Sequence, residues 1–165
     1  MNLSIKADLT THRINKAVLA ALLTLGLASC STLSALPKDS EGALHRAQHE
    51  ELRVGVTEHL PYTDVHDDGA VTGSEAQLID GFAQSIGTKP RWVPGSEEAL
   101  VKQLEDGEID VIIGGLTKKT QWSKKVALTR PYDKETKTVM AVPMGENALL
   151  TSLERYLAET TGEVQ

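Results

Sequence analysis

The segment Ile109-Asp110-Val111-Ile112-Ile113 constrains the fold of this chain more than any other. It is a nearly continuous β-branched run, and strands of that kind are buried on both faces, as in the middle of a sheet covered by helices. A helix-like stretch ends at Gly107 just before it, and Gly114-Gly115 follow it at once. The run therefore predicts a short, central, sandwiched strand.

The flanking sequence supplies the layers that such a strand needs. Leu52–Val56 alternates like a first strand, and Asp67-Asp68-Gly69 between Val65 and Val71 reads as a hairpin turn, because Asp-Gly tolerates positive φ. Residues 73–86 carry Ala76, Leu78, Ile79, Phe82, Ala83 and Ile86 at helical spacing, with Gly87 as the stop. Residues 90–93 suit a short strand. Ser96 opens a second helix with Leu100, Val101 and Leu104 on one face. Residues 126–129 and 139–142 suit two more strands, a helical stripe closes the chain over 148–157, and 41–50 suits a short polar helix. Strands alternating with helices predict an α/β layered sheet.

The single cysteine, Cys30, excludes an intramolecular disulfide and a thiolate metal cluster. Its setting suggests a different role. Lys6, Arg13 and Lys16 precede an apolar run over 17–27, which fits a secretory signal and is too short to span a bilayer comfortably. The run ends in Leu27-Ala28-Ser29-Cys30, which resembles the bacterial lipobox, where the cysteine is acylated and becomes the new N-terminus. The alternative is a free cysteine buried at the end of an apolar helix. Ser31 fits outer-membrane sorting in a Gram-negative cell. The expected order is a lipoprotein signal peptide (1–29), a tether and short helix (30–50), an α/β domain (51–159) and a tail (160–165).

Composition narrows the function. A balance of 40% apolar and 24% charged residues is globular, and the length suits one domain. Acids outnumber bases by 23 to 17, which argues against a nucleic-acid partner.

Taken in order, Leu52-Arg53-Val54-Gly55-Val56-Thr57, Pro61-Tyr62, Gly73 with Glu75, residues 104–117 with their Gly-Gly-Leu-Thr turn, and Arg130-Pro131-Tyr132 resemble the first lobe of family 3 periplasmic solute-binding proteins. The resemblance covers roughly residues 51–132. It implies a single-lobe open sheet flanked by helices, a type 2 periplasmic-binding lobe with the second lobe missing. It also implies a solute site at the carboxyl ends of the strands, where loops and helix N-termini present free backbone donors. The residues it points to are Glu58, Tyr62, Glu75, Gly114, Gly115, Thr117 and Trp122, with Cys30 as the lipidation site.

Two departures shape the expectation. Counted without gaps, the family's carboxylate-gripping arginine falls on Trp122, so a planar cation with two parallel donors becomes an indole with one. The neighbouring Lys118, Lys119, Lys124 and Lys125 read as a solvated face. In addition, only residues 133–137 separate Tyr132 from Thr138, where two-lobed members insert a second lobe. Five residues reach at most about 18 Å, a connection and not a domain.

The expected function is a lipid-anchored binding component of ABC-transporter type, on the periplasmic side of the envelope, holding a small polar solute, amino-acid-like and weakly. The alternative is an envelope module for protein interaction or sensing, docking on a permease or another envelope protein. No cofactor is implied and no catalysis is expected. His45 and His49 at i, i+4 lack the other parts of a zinc site, and Asp64, Asp67 and Asp68 lack the closing Glu of a calcium loop.

Overall fold

The computed structural model describes residues 39–162, which belong to the compact unit Pro37–Gln165. The expected signal peptide, Cys30 and most of the tether lie outside the described residues, as does the end of the tail. Among the described residues, no helix is long and apolar enough to cross a membrane.

The elements run α1 (Ala43–His49), β1 (Leu52–Val56), β2 (Asp64–Val65), β3 (Val71–Thr72), α2 (Ser74–Ser85), β4 (Pro90–Pro94), α3 (Glu97–Glu105), β5 (Val111–Ile113), β6 (Ala127–Leu128), β7 (Ala141–Val142) and α4 (Asn147–Thr161). Five strands form one sheet in the order β4-β1-β5-β7-β6. β1 pairs in parallel with β4 and β5, whereas β7 is antiparallel to β5 and β6. β2 and β3 form the separate hairpin, with Val65 opposite Val71.

The β-branched run does occupy the middle of the sheet, and both its faces are covered. Leu52, Val54, Val56, Val111 and Ile113 point into a cluster shared with α1, α2 and α4. Ile112 points the other way, into a cluster with Leu100, Val101 and Leu104 of α3. This is the period-2 alternation of a strand serving two layers. On the α3 face, Gly55 leaves the space that Ile109 and Leu100 fill, since a Cβ there would lie 2.7 Å from Ile109 Cδ1.

The regular strand is shorter than the run, because Ile109 and Asp110 precede it. The Asp110 side chain is fully buried and accepts from the Arg53 backbone N–H (2.9 Å), from Arg53 Nη2 (2.6 Å) and from Arg46 Nη2 (2.7 Å). Burial alone would raise its carboxyl, but the hydrogen bonds from Arg53 and Arg46 outweigh it and hold the group below its usual range. One carboxylate thus ties α1 to the β1–β5 pair.

Residues 133–137, where a second lobe would be inserted, form a tight turn. Asp133 Oδ1 accepts from the N–H groups of Glu135 (2.7 Å) and Thr136 (2.9 Å), and Lys137 N–H donates to the Asp133 carbonyl at 3.1 Å. Lys137 takes φ 57°, and the chain returns at once to pair Tyr132 N–H with the Thr138 carbonyl.

Candidate functional site

The parallel strands β1 and β5 end side by side, with Val56 paired to Ile113. The chain leaves them as two loops, residues 57–63 and 114–117, and a cleft of about 290 Å³ opens there. His59, Glu97, Gly115, Thr117, Lys119 and Gln121 are among the residues that line it.

The first loop is fixed from within. Buried Thr63 donates through Oγ1 to the Thr57 carbonyl (2.6 Å) and accepts from His59 N–H (3.0 Å). His59 Nδ1 lies 2.9 Å from the Gly114 carbonyl, which can only accept, so Nδ1 carries a proton. Tyr62 meets the His59 ring edge-on, with centroids 5.4 Å apart.

The second loop needs its glycines. Gly115 has φ 66°, and a Cβ there would fall 2.6 Å from His59 Nδ1 and 2.8 Å from Tyr62 Cδ2. Gly114 has φ 142° and packs against Thr57. The loop is held from beneath by Glu75, which is completely buried: its Oε2 accepts from Gly114 N–H (2.7 Å) and Gly115 N–H (3.0 Å), and its Oε1 accepts from the Tyr132 hydroxyl. Burial drives the Glu75 carboxyl above the usual range, against the opposing pull of Tyr132 and the two glycine amides. Burial and the Glu75 charge likewise push the Tyr132 hydroxyl upward.

The structure therefore brings only two of the residues expected at the site onto the cleft. Gly115 and Thr117 line the cleft. Gly114 and Glu75 lie behind its wall, and Glu75, with no exposed surface, supports the turn and cannot touch a solute. Tyr62 backs the turn and borders a separate depression of about 500 Å³ beside Tyr132 and Asp133. Glu58 is exposed and does not line the cleft. Trp122 lies outside it too: the half-buried indole packs on the α3 cluster and donates from Nε1 to Glu97 Oε2 at 3.0 Å. An apolar ring gains more from that cluster than from an open rim. Its effect on the cleft is indirect, through Glu97.

Lys119, read in the sequence as part of a solvated face, lines the cleft, and His59, Glu97 and Gln121 are lining residues to which the sequence did not point. Glu97 reads in the sequence as an ordinary first-turn acid of a helix, and only the position of the α3 N-terminus beside the β5 loop gives it a second role. His59 adjoins the motif residues, and its signal was its place in the loop after β1.

Residues 52–161 match the family described as bacterial extracellular solute-binding proteins, family 3. The chain belongs to this family. Among curated family relatives, a probable histidine-binding protein of Campylobacter jejuni is 27% identical over 81 residues, covering 49% of this chain and 32% of that protein. The cyclohexadienyl dehydratase of Pseudomonas aeruginosa is 26% identical over 137 residues, covering 82% of this chain and 49% of its own length. The chain thus spans a third to a half of the curated relatives it matches. Among solved structures, the arginine-bound form of domain 1 from TmArgBP superposes with a TM-score of 0.59 at 27% identity, covering 66% of this chain and 91% of that one. A variant of the same domain reaches a TM-score of 0.66 at 24% identity over 73% of this chain and 99% of that one, which establishes the fold. The α/β sheet described above is that of one lobe of the family.

Proposed function

We propose that this chain is a one-lobe receptor for a small polar, amino-acid-like solute, of the type that serves as binding component to an ABC transporter. The observation that carries the reading is the Gly114–Thr117 turn, preset by a buried carboxylate at the joint carboxyl ends of β1 and β5. A wall fixed before binding loses little freedom when a solute arrives. Related domain 1 from TmArgBP is itself arginine-bound, which supports binding by a single lobe.

Gly115, Thr117 and His59 contact the solute in this reading, and Cys30 carries the lipid that holds the chain at the periplasmic face of the envelope. Calorimetric titration with histidine, cystine, arginine and glutamine tests the site. Binding of one of them, lost in Gly115→Ala because a Cβ strikes His59 and Tyr62, is the expected result. A folded chain that binds no solute would instead favour the protein-interaction reading, which exposed Leu60 beside His59 supports. Mass spectrometry of the chain from cell envelopes tests the anchor: Cys30→Ser should abolish processing and lipid addition, and an unchanged mature mass would refute it.

The reading includes no catalytic step. Glu75 is sealed behind the turn and His59 Nδ1 is committed to a carbonyl. Dehydration of a cyclohexadienyl substrate by the purified chain would overturn this part.

A further inference from the structure

The polar groups around the cleft are not balanced between cation and anion recognition. A solute carboxylate would be gripped by backbone N–H groups of the glycine turn or by a guanidinium beside it. The glycine amides and a guanidinium are both missing from the cleft, for different reasons, which leaves neutral donors such as the Thr117 and Thr120 hydroxyls and the Gln121 amide on its lining. The N–H groups of Gly114 and Gly115 point away from the solute and are occupied by the chain's own Glu75 at 2.7 and 3.0 Å. No arginine is among the lining residues, and the residue in the position where the resemblance implies one, Trp122, turns its single donor onto Glu97.

That indole contact has a second consequence. It orients the Glu97 carboxylate, which lines the cleft, and uses only Oε2, so Oε1 remains to accept from a solute. His59 also lines the cleft, and its Nε2 is a second acceptor when the ring is neutral, because Nδ1 then holds the single ring proton. Lys119 contributes the only lining cation among the residues described there. Its side chain is exposed, and a hydrated ammonium on a flexible stem is a poor match for the fixed geometry of Glu97.

We infer that the cleft selects its solute by a cationic group, a primary ammonium or a guanidinium held by Glu97, and that it does not require a carboxylate. The inference rests on the solute-binding reading above. It names the class of solute at that same site: amines and guanidines, whether or not they are amino acids.

The test is calorimetry at low salt on the full chain with three probes: arginine, agmatine (arginine without its carboxylate) and butylurea (a neutral counterpart of the guanidinium arm, with no ammonium). Arginine and agmatine should bind within about threefold of each other, and butylurea at least about tenfold more weakly, the loss expected for one charge-assisted bond. Glu97→Gln should weaken agmatine about tenfold, whereas Glu98→Gln, a change to an exposed acid outside the cleft, should leave it unchanged. Trp122→Phe should weaken agmatine by a smaller factor, because Glu97 keeps its charge and loses its anchor. Circular dichroism confirms the fold of each variant. Agmatine binding at least about tenfold more weakly than arginine would overturn the inference, as would an unaffected Glu97→Gln. If butylurea binds as well as arginine, the solute-binding reading stands and the cation inference fails. If no solute binds to the folded chain, both fail.

Discussion

Glu75 shows how one side chain can matter to a site it never touches. Its two oxygens absorb the N–H groups of Gly114 and Gly115 and the Tyr132 hydroxyl, three donors that would otherwise be stranded in the interior. Glu75→Ala strands them all, and each unsatisfied buried group costs about 1 to 3 kcal/mol. A loss of about 4 kcal/mol in chemical denaturation is expected. Glu75→Gln keeps an acceptor for the glycine amides and should lose about 1 kcal/mol or less. The pair also predicts a pH effect. Because the folded carboxyl titrates above its unfolded value of about 4.3, the native state binds the proton more tightly, so the wild type gains stability as pH falls through the folded value toward the unfolded one. Glu75→Gln has no such proton and should show a flatter profile over that range. A parallel profile for the two proteins would show that Glu75 does not titrate as described. The acid was visible in the sequence as a motif residue, but its direction was not: only the seating of α2 beneath the turn decides that it supports the wall and leaves Glu97 to face the cleft.

At the scale of elements, the sheet was legible where periodicity and punctuation agreed. Leu52–Val56 alternates, Asp67 to Gly69 turn the hairpin, Ser96 caps α3 (its Oγ accepts from Ala99 N–H at 3.4 Å), and the β-branched run is central and covered. What pattern could not show was which side chains join distant elements. Glu146 lies at the start of α4 yet accepts from Glu41 N–H (2.7 Å) and Ala43 N–H (2.8 Å) at the start of α1. Asp39 reciprocates, accepting from Ala148 (2.7 Å) and Leu149 (3.0 Å) of α4. Each caps the other helix across more than a hundred residues, whereas sequence rules look for a cap beside the helix it serves. Asp110 is the same kind of residue within the sheet: the sequence presents it as a polar interruption of a buried strand, and two arginines make it a joint. Asp110→Asn should cost about 3 kcal/mol, because Arg46 and Arg53 lose their shared counter-charge while both retain some contact with water. The pH sign is opposite to that of Glu75. A depressed folded value means that the stabilisation is complete above the ordinary aspartate value of about 3.9 and is lost as pH falls through the folded value. Acid unfolding followed by circular dichroism should therefore begin below about pH 4 in the wild type, and Asp110→Asn should lack that component of the transition.

For the molecule as a whole, the tight turn at 133–137 determines how much of a solute the lobe could enclose. Asp133 closes that turn with two backbone N–H groups, so the chain goes straight back into the sheet through β7 and residues 133–137 build no second lobe to cover the cleft. An enclosed site covers most of a small solute's surface, and an open wall covers much less. The affinity of the lobe should then be modest, and binding should register on stability by mass action alone. With free solute at ten times its dissociation constant the folded state gains about 1.4 kcal/mol, and each further tenfold adds about the same. For a folded unit of this size that corresponds to a rise in melting temperature of roughly 4 °C per tenfold of solute. The expected outcome with agmatine is a melting temperature that begins to climb only near millimolar solute, continues to climb with the logarithm of its concentration, and does not depend on protein concentration. A climb that begins at micromolar solute and steepens as the protein is concentrated would mean that a second copy closes the cleft. The binding unit would then be the pair and not the lobe.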